Sequence, residues 1–139
     1  MRSSREPDGR SPQIRTVTNT QRFRLEVTQA ASLDIAAIAV WSSREFGVAV
    51  AHRYEALIFQ ALRDIERNPD RLGARVRPEL AEPLLTYHLR FSRRHVPQGQ
   101  QVRRPRHYVV YRVKDDIVEI LRLIHDAQDL ERHLRGEDH

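Results

Sequence analysis

Six side chains in the second half of this 139-residue sequence could do chemistry together: His88, His107, Tyr111, Arg112, Arg122 and His125. Histidine titrates near neutrality, so any of the three could take a proton or give one up. A guanidinium can hold a phosphate through two parallel hydrogen bonds. A base for a ribose 2′-hydroxyl, a cation on the phosphate and an acid for the leaving oxygen are what cleavage of an RNA phosphodiester needs. The same residues also fit a purely structural role. Tyr111 and His107 could be ordinary sheet residues, and Arg122 could pair with Asp126 or another acid.

Other chemistries lack their signatures. The chain has no cysteine, so it can hold no disulfide framework, thiolate-ligated zinc or thiol nucleophile. There is no G-x-G-x-x-G, no phosphate-binding P-loop, no G-x-S-x-G and no H-E-x-x-H. His88 and His95 are spaced for no recognisable metal site, so neither metal nor cofactor is expected.

The charge pattern points to anionic partners. The net charge is +5, carried by 23 Arg and the single Lys114. Between Pro83 and Lys114 there is no Asp or Glu, while Arg90, Arg93, Arg94, Arg103, Arg104, Arg106, Arg112 and Lys114 fall within that stretch. Such a run attracts nucleic acid or an acidic protein segment. Coding bias explains the preference for arginine over lysine equally well, so the distribution carries more than the residue type.

These residues must be positioned by a single domain, because the length leaves no room for a second core. Residues 1–21 are polar and read as a mobile arm, with the domain spanning 22–135. Residues 22–28 alternate Phe23, Leu25 and Val27 with charged neighbours, the period of a half-buried strand. A first helix is expected from a Ser32 cap, with Asp34 in its first turn, to Gly47. Residues 48–67 place Val50, Tyr54, Leu57, Ile58, Ala61, Leu62 and Ile65 on one stripe, and Asn68-Pro69 ends that helix. Strands follow at 85–91, 107–113 and 117–124, the last two joined at Asp115-Asp116 by a tight hairpin. The linker from Ser92 to Pro105, with Arg93, Arg94, Arg103 and Arg104 at its ends, reads as a mobile basic loop. A short helix is expected over 129–134. The fold class is α+β: a helical hairpin packed on a mainly antiparallel sheet, in the order β-α-α-β-β-β and a short α.

No stretch approaches the roughly 18 apolar residues of a membrane span, and the N-terminus lacks the apolar segment of a secretory signal. The expectation is a cytoplasmic chain without membrane association.

Several local patterns, in this order, resemble the ParE branch of the RelE/ParE toxins. They are WSSREFG (41–47) before a helix centred on Tyr54, Asn68-Pro69 with Gly73 at the helix exit, RPRHYVVYRV (104–113) and EILRLIHDAQDL (119–130). The resemblance runs from about Arg22 to Leu134. It implies the toxin half of a type II toxin–antitoxin pair, a hetero-oligomer with an antitoxin whose segment fills a groove. Groove candidates are Ile38, Trp41, Tyr54, Leu57 and Ile58. Target-binding candidates are Arg106, His107, Arg112, Arg122 and His125. ParE-like members act on DNA gyrase; RelE-like members cut mRNA on the ribosome. The RelE-type ribonucleases place weight on a C-terminal tyrosine or a histidine–tyrosine pair. Here no tyrosine follows Tyr111, and Asp126 beside His125 would oppose a scissile phosphate. The expectation is a gyrase inhibitor that binds without chemistry; the alternatives are an mRNA endonuclease and a non-toxic, antitoxin-binding paralogue. Direct DNA binding by the two helices is disfavoured, since their apolar stripe is needed by the sheet.

Overall fold

The computed structural model describes residues 22–80 and 83–128. The arm at 1–21 and the helix expected at 129–134 lie outside the described residues.

Strand β1 (Arg24–Val27) leads directly into helix α1 (Gln29–Phe46) and then helix α2 (Val48–Arg67). Strands β2 (Arg75–Arg77), β3 (Leu84–His88), β4 (His107–Lys114) and β5 (Ile117–His125) follow, with a 3₁₀ segment, Leu89–His95, after β3. The five strands form one sheet in the order β1-β5-β4-β3-β2. All pairings are antiparallel except that of β1 with β5. The sheet is therefore mainly antiparallel and carries a helical hairpin, as the α+β reading expects.

The hairpin turns at Gly47, whose φ of +91° is a left-handed conformation that a side chain would strain. Facing the sheet, α2 buries Tyr54, Leu57, Ile58, Ala61, Leu62 and Ile65. They meet Tyr87, Val109, Tyr111, Val118, Ile120 and Leu123 in the main core. A smaller cluster of Leu80, Leu84, Val110 and Ile124 is separate from it.

Four local expectations change. The cap of α1 is Thr28, not Ser32: its Oγ1 accepts from the Ala31 N–H at 3.1 Å and donates to the Leu121 carbonyl at 3.1 Å. The chain passes from strand to helix without a linker, so the first capping residue available takes the position. Asp34 consequently lies beyond the first turn. The expected strand at 85–91 stops at His88, where the imidazole Nδ1 accepts the Arg90 N–H at 3.1 Å and starts the 3₁₀ segment. A fourth post-helical strand, β2, precedes the three expected ones; its pairing with β3 is reinforced by Arg77 Nε donating to Thr86 Oγ1 at 2.9 Å. The linker expected to be mobile is tethered at Ser92, Val96 and Val102, all buried, and Arg93 Nε donates to the Val102 carbonyl at 2.6 Å.

The β4–β5 hairpin turns at Asp115-Asp116, with Asp115 at φ +57°. Its register slips by one residue between Val110 and Tyr111, a bulge that pairs His107 with His125.

Candidate functional site

That slip assembles a ring cluster where β4 begins and β5 ends. The His107 and His125 rings stand 5.2 Å apart. Trp41 of α1 lies edge-on to both, at 5.4 and 6.1 Å, and to Tyr54 of α2 at 6.0 Å. The Tyr54 hydroxyl accepts the Arg106 N–H at 2.8 Å and lies 2.6 Å from His107 Nδ1. Burial pushes the Tyr54 hydroxyl up to about 12, partly offset by the Arg106 hydrogen bond. Burial, helped by repulsion from His125, takes His107 down to about 4. Both groups are therefore neutral at pH 7. Tyr54 donates its proton to Nδ1, which places the imidazole proton on Nε2.

Asp126, the first residue past β5, gathers the other charges. Its Oδ1 accepts from Arg106 Nε at 3.0 Å and Nη2 at 2.8 Å, and its Oδ2 accepts from His88 Nε2 at 2.9 Å. With Nδ1 already accepting from Arg90, His88 is neutral, and burial holds its pKa below the ordinary value. Burial alone would raise the Asp126 carboxyl; the hydrogen bonds from His88 and Arg106 overcome that and hold it low. His125 Nδ1 accepts the Ala127 N–H at 3.1 Å.

The structure thus brings Arg106, His107 and His125 together with His88, and disperses the rest of the set. Arg112 lies five residues along β4, about 16 Å away, where its Nε meets Glu119 at 2.7 Å. Arg122 points to the N-terminal part of α1, donating from Nε to Asp34 Oδ2 at 2.7 Å and from Nη2 to Oδ1 at 3.0 Å; Oδ2 also accepts the Leu123 N–H at 2.9 Å. Its acid is Asp34 rather than Asp126. Tyr111 is buried in the core and donates to the Pro69 carbonyl at 2.6 Å, and burial pushes its pKa up. The arginines of the set are each committed to a carboxylate.

The five groove candidates also sort differently. Ile38, Tyr54, Leu57 and Ile58 are in the core, where they hold the hairpin to the sheet, and Trp41 is half-buried in the ring cluster. A partner could reach Ile38, Leu57 and Ile58 only by prising the helices away. Among the described residues, an exposed apolar surface lies on the other side of α1, formed by Leu33, Ala36, Ala37 and Val40. Leu33 and Val40 are 63% and 50% accessible.

A second network was not visible in the sequence. Asp64 of α2, 4% accessible, accepts from Ser92 Oγ and His95 Nδ1, both at 2.6 Å on Oδ2, and from Gln60 Nε2 at 3.0 Å on Oδ1. Ser92 in turn takes the Tyr87 hydroxyl proton at 2.8 Å. Burial would raise the Asp64 carboxyl; these donors and the Arg71 charge hold it below its ordinary value instead. The network bolts the 3₁₀ segment to α2. The only sequence signal was an acid on the apolar side of an amphipathic helix.

Among the described residues, no group of three or more His, Asp or Glu could hold a metal ion, and no helix is long and apolar enough to cross a membrane.

Comparison with known proteins gives the family. The family model described as "ParE toxin of type II toxin-antitoxin system, parDE" matches residues 25–130. No curated protein matches the chain. Among solved structures, a chain of the "Chromosomal ParDE TA system from P. aeruginosa" is similar at 18% identity with a TM-score of 0.49, covering 75% of this chain and 96% of that one. The match to the family model spans most of the chain, from β1 to past the end of β5, and the chain belongs to the ParE toxin family of type II toxin–antitoxin systems.

Proposed function

We infer that this toxin is neutralised by a cognate antitoxin laid along the outer face of α1, and that it arrests growth by binding DNA gyrase in the cytoplasm. The observation that carries the antitoxin contact is the composition of α1. A surface helix normally has one apolar stripe and an opposite polar face. This helix spends Ala31, Ile38 and Ser42 on the interior, yet its outer face is again apolar at Leu33, Ala36, Ala37 and Val40. The spacing of three and four residues suits an amphipathic helix packed alongside. The positive net charge favours an acidic partner.

Binding rather than catalysis is supported by the state of the candidate groups. His107 is buried and neutral, Tyr111 is spent on a backbone carbonyl, and Arg106, Arg112 and Arg122 are committed to carboxylates. The face bearing Arg106 and His125 is the surface we assign to the target.

Induced expression of the chain in a bacterial host tests the reading. Arrest with relaxed plasmid DNA and intact transcripts is expected, with rescue by the cognate antitoxin. Transcripts cut at codon boundaries would instead make the toxin an mRNA endonuclease. Leu33→Arg with Val40→Arg should weaken antitoxin capture at least about tenfold while arrest persists; undiminished capture would remove α1 from the interface.

A further inference from the structure

A cavity of about 660 Å³ opens between the first turns of α2 and the segment 99–104. Its walls are Val50, Tyr54 and Val102 below and the ring of Phe46 to one side. Arg53 from the helix and Arg103 and Arg104 from the opposite segment, with Gly99 and Gln101, complete it. Among the described residues, no carboxylate lines it. Unlike Arg77, Arg106, Arg112 and Arg122, these three arginines make no ion pair or side-chain hydrogen bond among the described residues. Phe46 is 55% accessible and is held at 5.5 Å by Trp41, so it is both positioned and open to a ligand.

Three unpaired guanidinium groups around one space repel one another unless an anion lies between them. They enter from two sides of a single cavity, an arrangement that converges on one anion with several oxygens. A row of carboxylates along a peptide would need cations spread along a line. Guanidinium forks match phosphate oxygens two at a time. An exposed aromatic ring beside an apolar floor is what stacks an unpaired base. The volume falls in the range of pockets that enclose a small organic ligand, about 300–1,000 Å³.

We propose that this cavity is a nucleotide site, taking a nucleoside phosphate, free or as an unpaired nucleotide of a single strand. The base lies against Phe46 and the phosphate among Arg53, Arg103 and Arg104. The proposal does not depend on which target the toxin poisons.

Calorimetric titration of the purified full chain tests it, using AMP, inorganic phosphate, a short oligothymidylate and an acidic peptide rich in Glu and Leu. The single tryptophan, Trp41, touches Phe46 and gives a second readout in its emission. Expected is saturable one-to-one binding of AMP or the oligonucleotide, with phosphate at least about tenfold weaker. Tighter binding of the oligonucleotide assigns the site to a strand, and tighter binding of AMP assigns it to the free nucleotide. Arg103→Gln with Arg104→Gln, both exposed and therefore harmless to folding, should weaken binding at least about tenfold. Phe46→Ala should weaken AMP while leaving phosphate unchanged. Absence of saturable nucleotide binding, binding indifferent to these substitutions, or capture of the acidic peptide alone would overturn the proposal.

Discussion

Replacing Tyr54 by Phe removes one oxygen and leaves two groups without their partner. His107 Nδ1, in a residue 6% accessible, loses the proton that Tyr54 donates at 2.6 Å. The Arg106 N–H, nearer the surface, loses its acceptor at 2.8 Å. An unsatisfied buried polar atom costs about 1–3 kcal/mol, and a partly solvated one loses about 0.5–1.5 kcal/mol. The ring itself still fills its place against Trp41, so no cavity term is added. Tyr54→Phe should therefore destabilise the domain by about 2–4 kcal/mol. With a urea slope of about 2 kcal/mol/M, the unfolding midpoint falls by about 1–2 M. The second half of the test is a cycle with His107→Leu. Removing both polar partners leaves only the Arg106 N–H unserved, so the double variant should lose less than the two single losses added together. A loss below about 0.5 kcal/mol for Tyr54→Phe, or strict additivity in the cycle, would refute the assignment of this hydroxyl as the bond that fixes His107.

Acid should destabilise the fold early. His107 in the folded chain titrates at about 4, below the about 6.5 of an unfolded histidine. The folded state therefore binds fewer protons, and this stabilisation is complete above pH about 6.5 and is lost as pH falls toward 4, by about 3 kcal/mol at most. Urea midpoints that stay level between pH 7 and 5 would contradict it, and His107→Leu should flatten the slope. Asp34→Ala, which strips the Arg122 guanidinium and the Leu123 N–H of their carboxylate, should cost about 2–4 kcal/mol by thermal or chemical unfolding; a loss under about 1 kcal/mol would mean the ion pair does not fasten α1 to β5. Gly73→Ala should be worse than a usual loop change, at about 2 kcal/mol or more, since φ is +101° and the new Cβ would stand 2.6 Å from the Phe91 ring. A melting temperature within a degree or so of the parent would count against that crowding.

The parts of the fold that were legible are those written in local patterns. The stripe from Val50 to Ile65 and the breaks at Gly47 and Asn68-Pro69 define α2, whose bounds agree with expectation. The alternation in β1 and the two-residue turn between β4 and β5 are equally local. What stayed hidden depends on distant partners. Nothing in the β5 sequence marks the bulge, and without that extra residue His107 would oppose Ile124 rather than His125. Thr28 caps α1 while bonding a carbonyl 93 residues away, and Asp34, expected only as a first-turn residue, is an ion-pair residue for a strand 88 residues on. The alternation across 85–91 was misleading because Leu89 is buried by the 3₁₀ turn, not by a strand. At the site, residue types were informative but their company was not. Arg112, Arg122 and Tyr111 share strands with the histidines yet face other partners, and Asp126, first seen as an obstacle, is the acid that orders Arg106 and His88.

We propose that this ParE-family toxin acts on DNA gyrase by binding it. A supercoiling assay with purified gyrase and purified toxin, repeated after pre-mixing with the cognate antitoxin, tests it most directly. Inhibition that saturates with toxin, is lost on reversing the charge of Arg106, and is relieved by antitoxin is the expected result. Undisturbed supercoiling at large molar excess of folded toxin would contradict it.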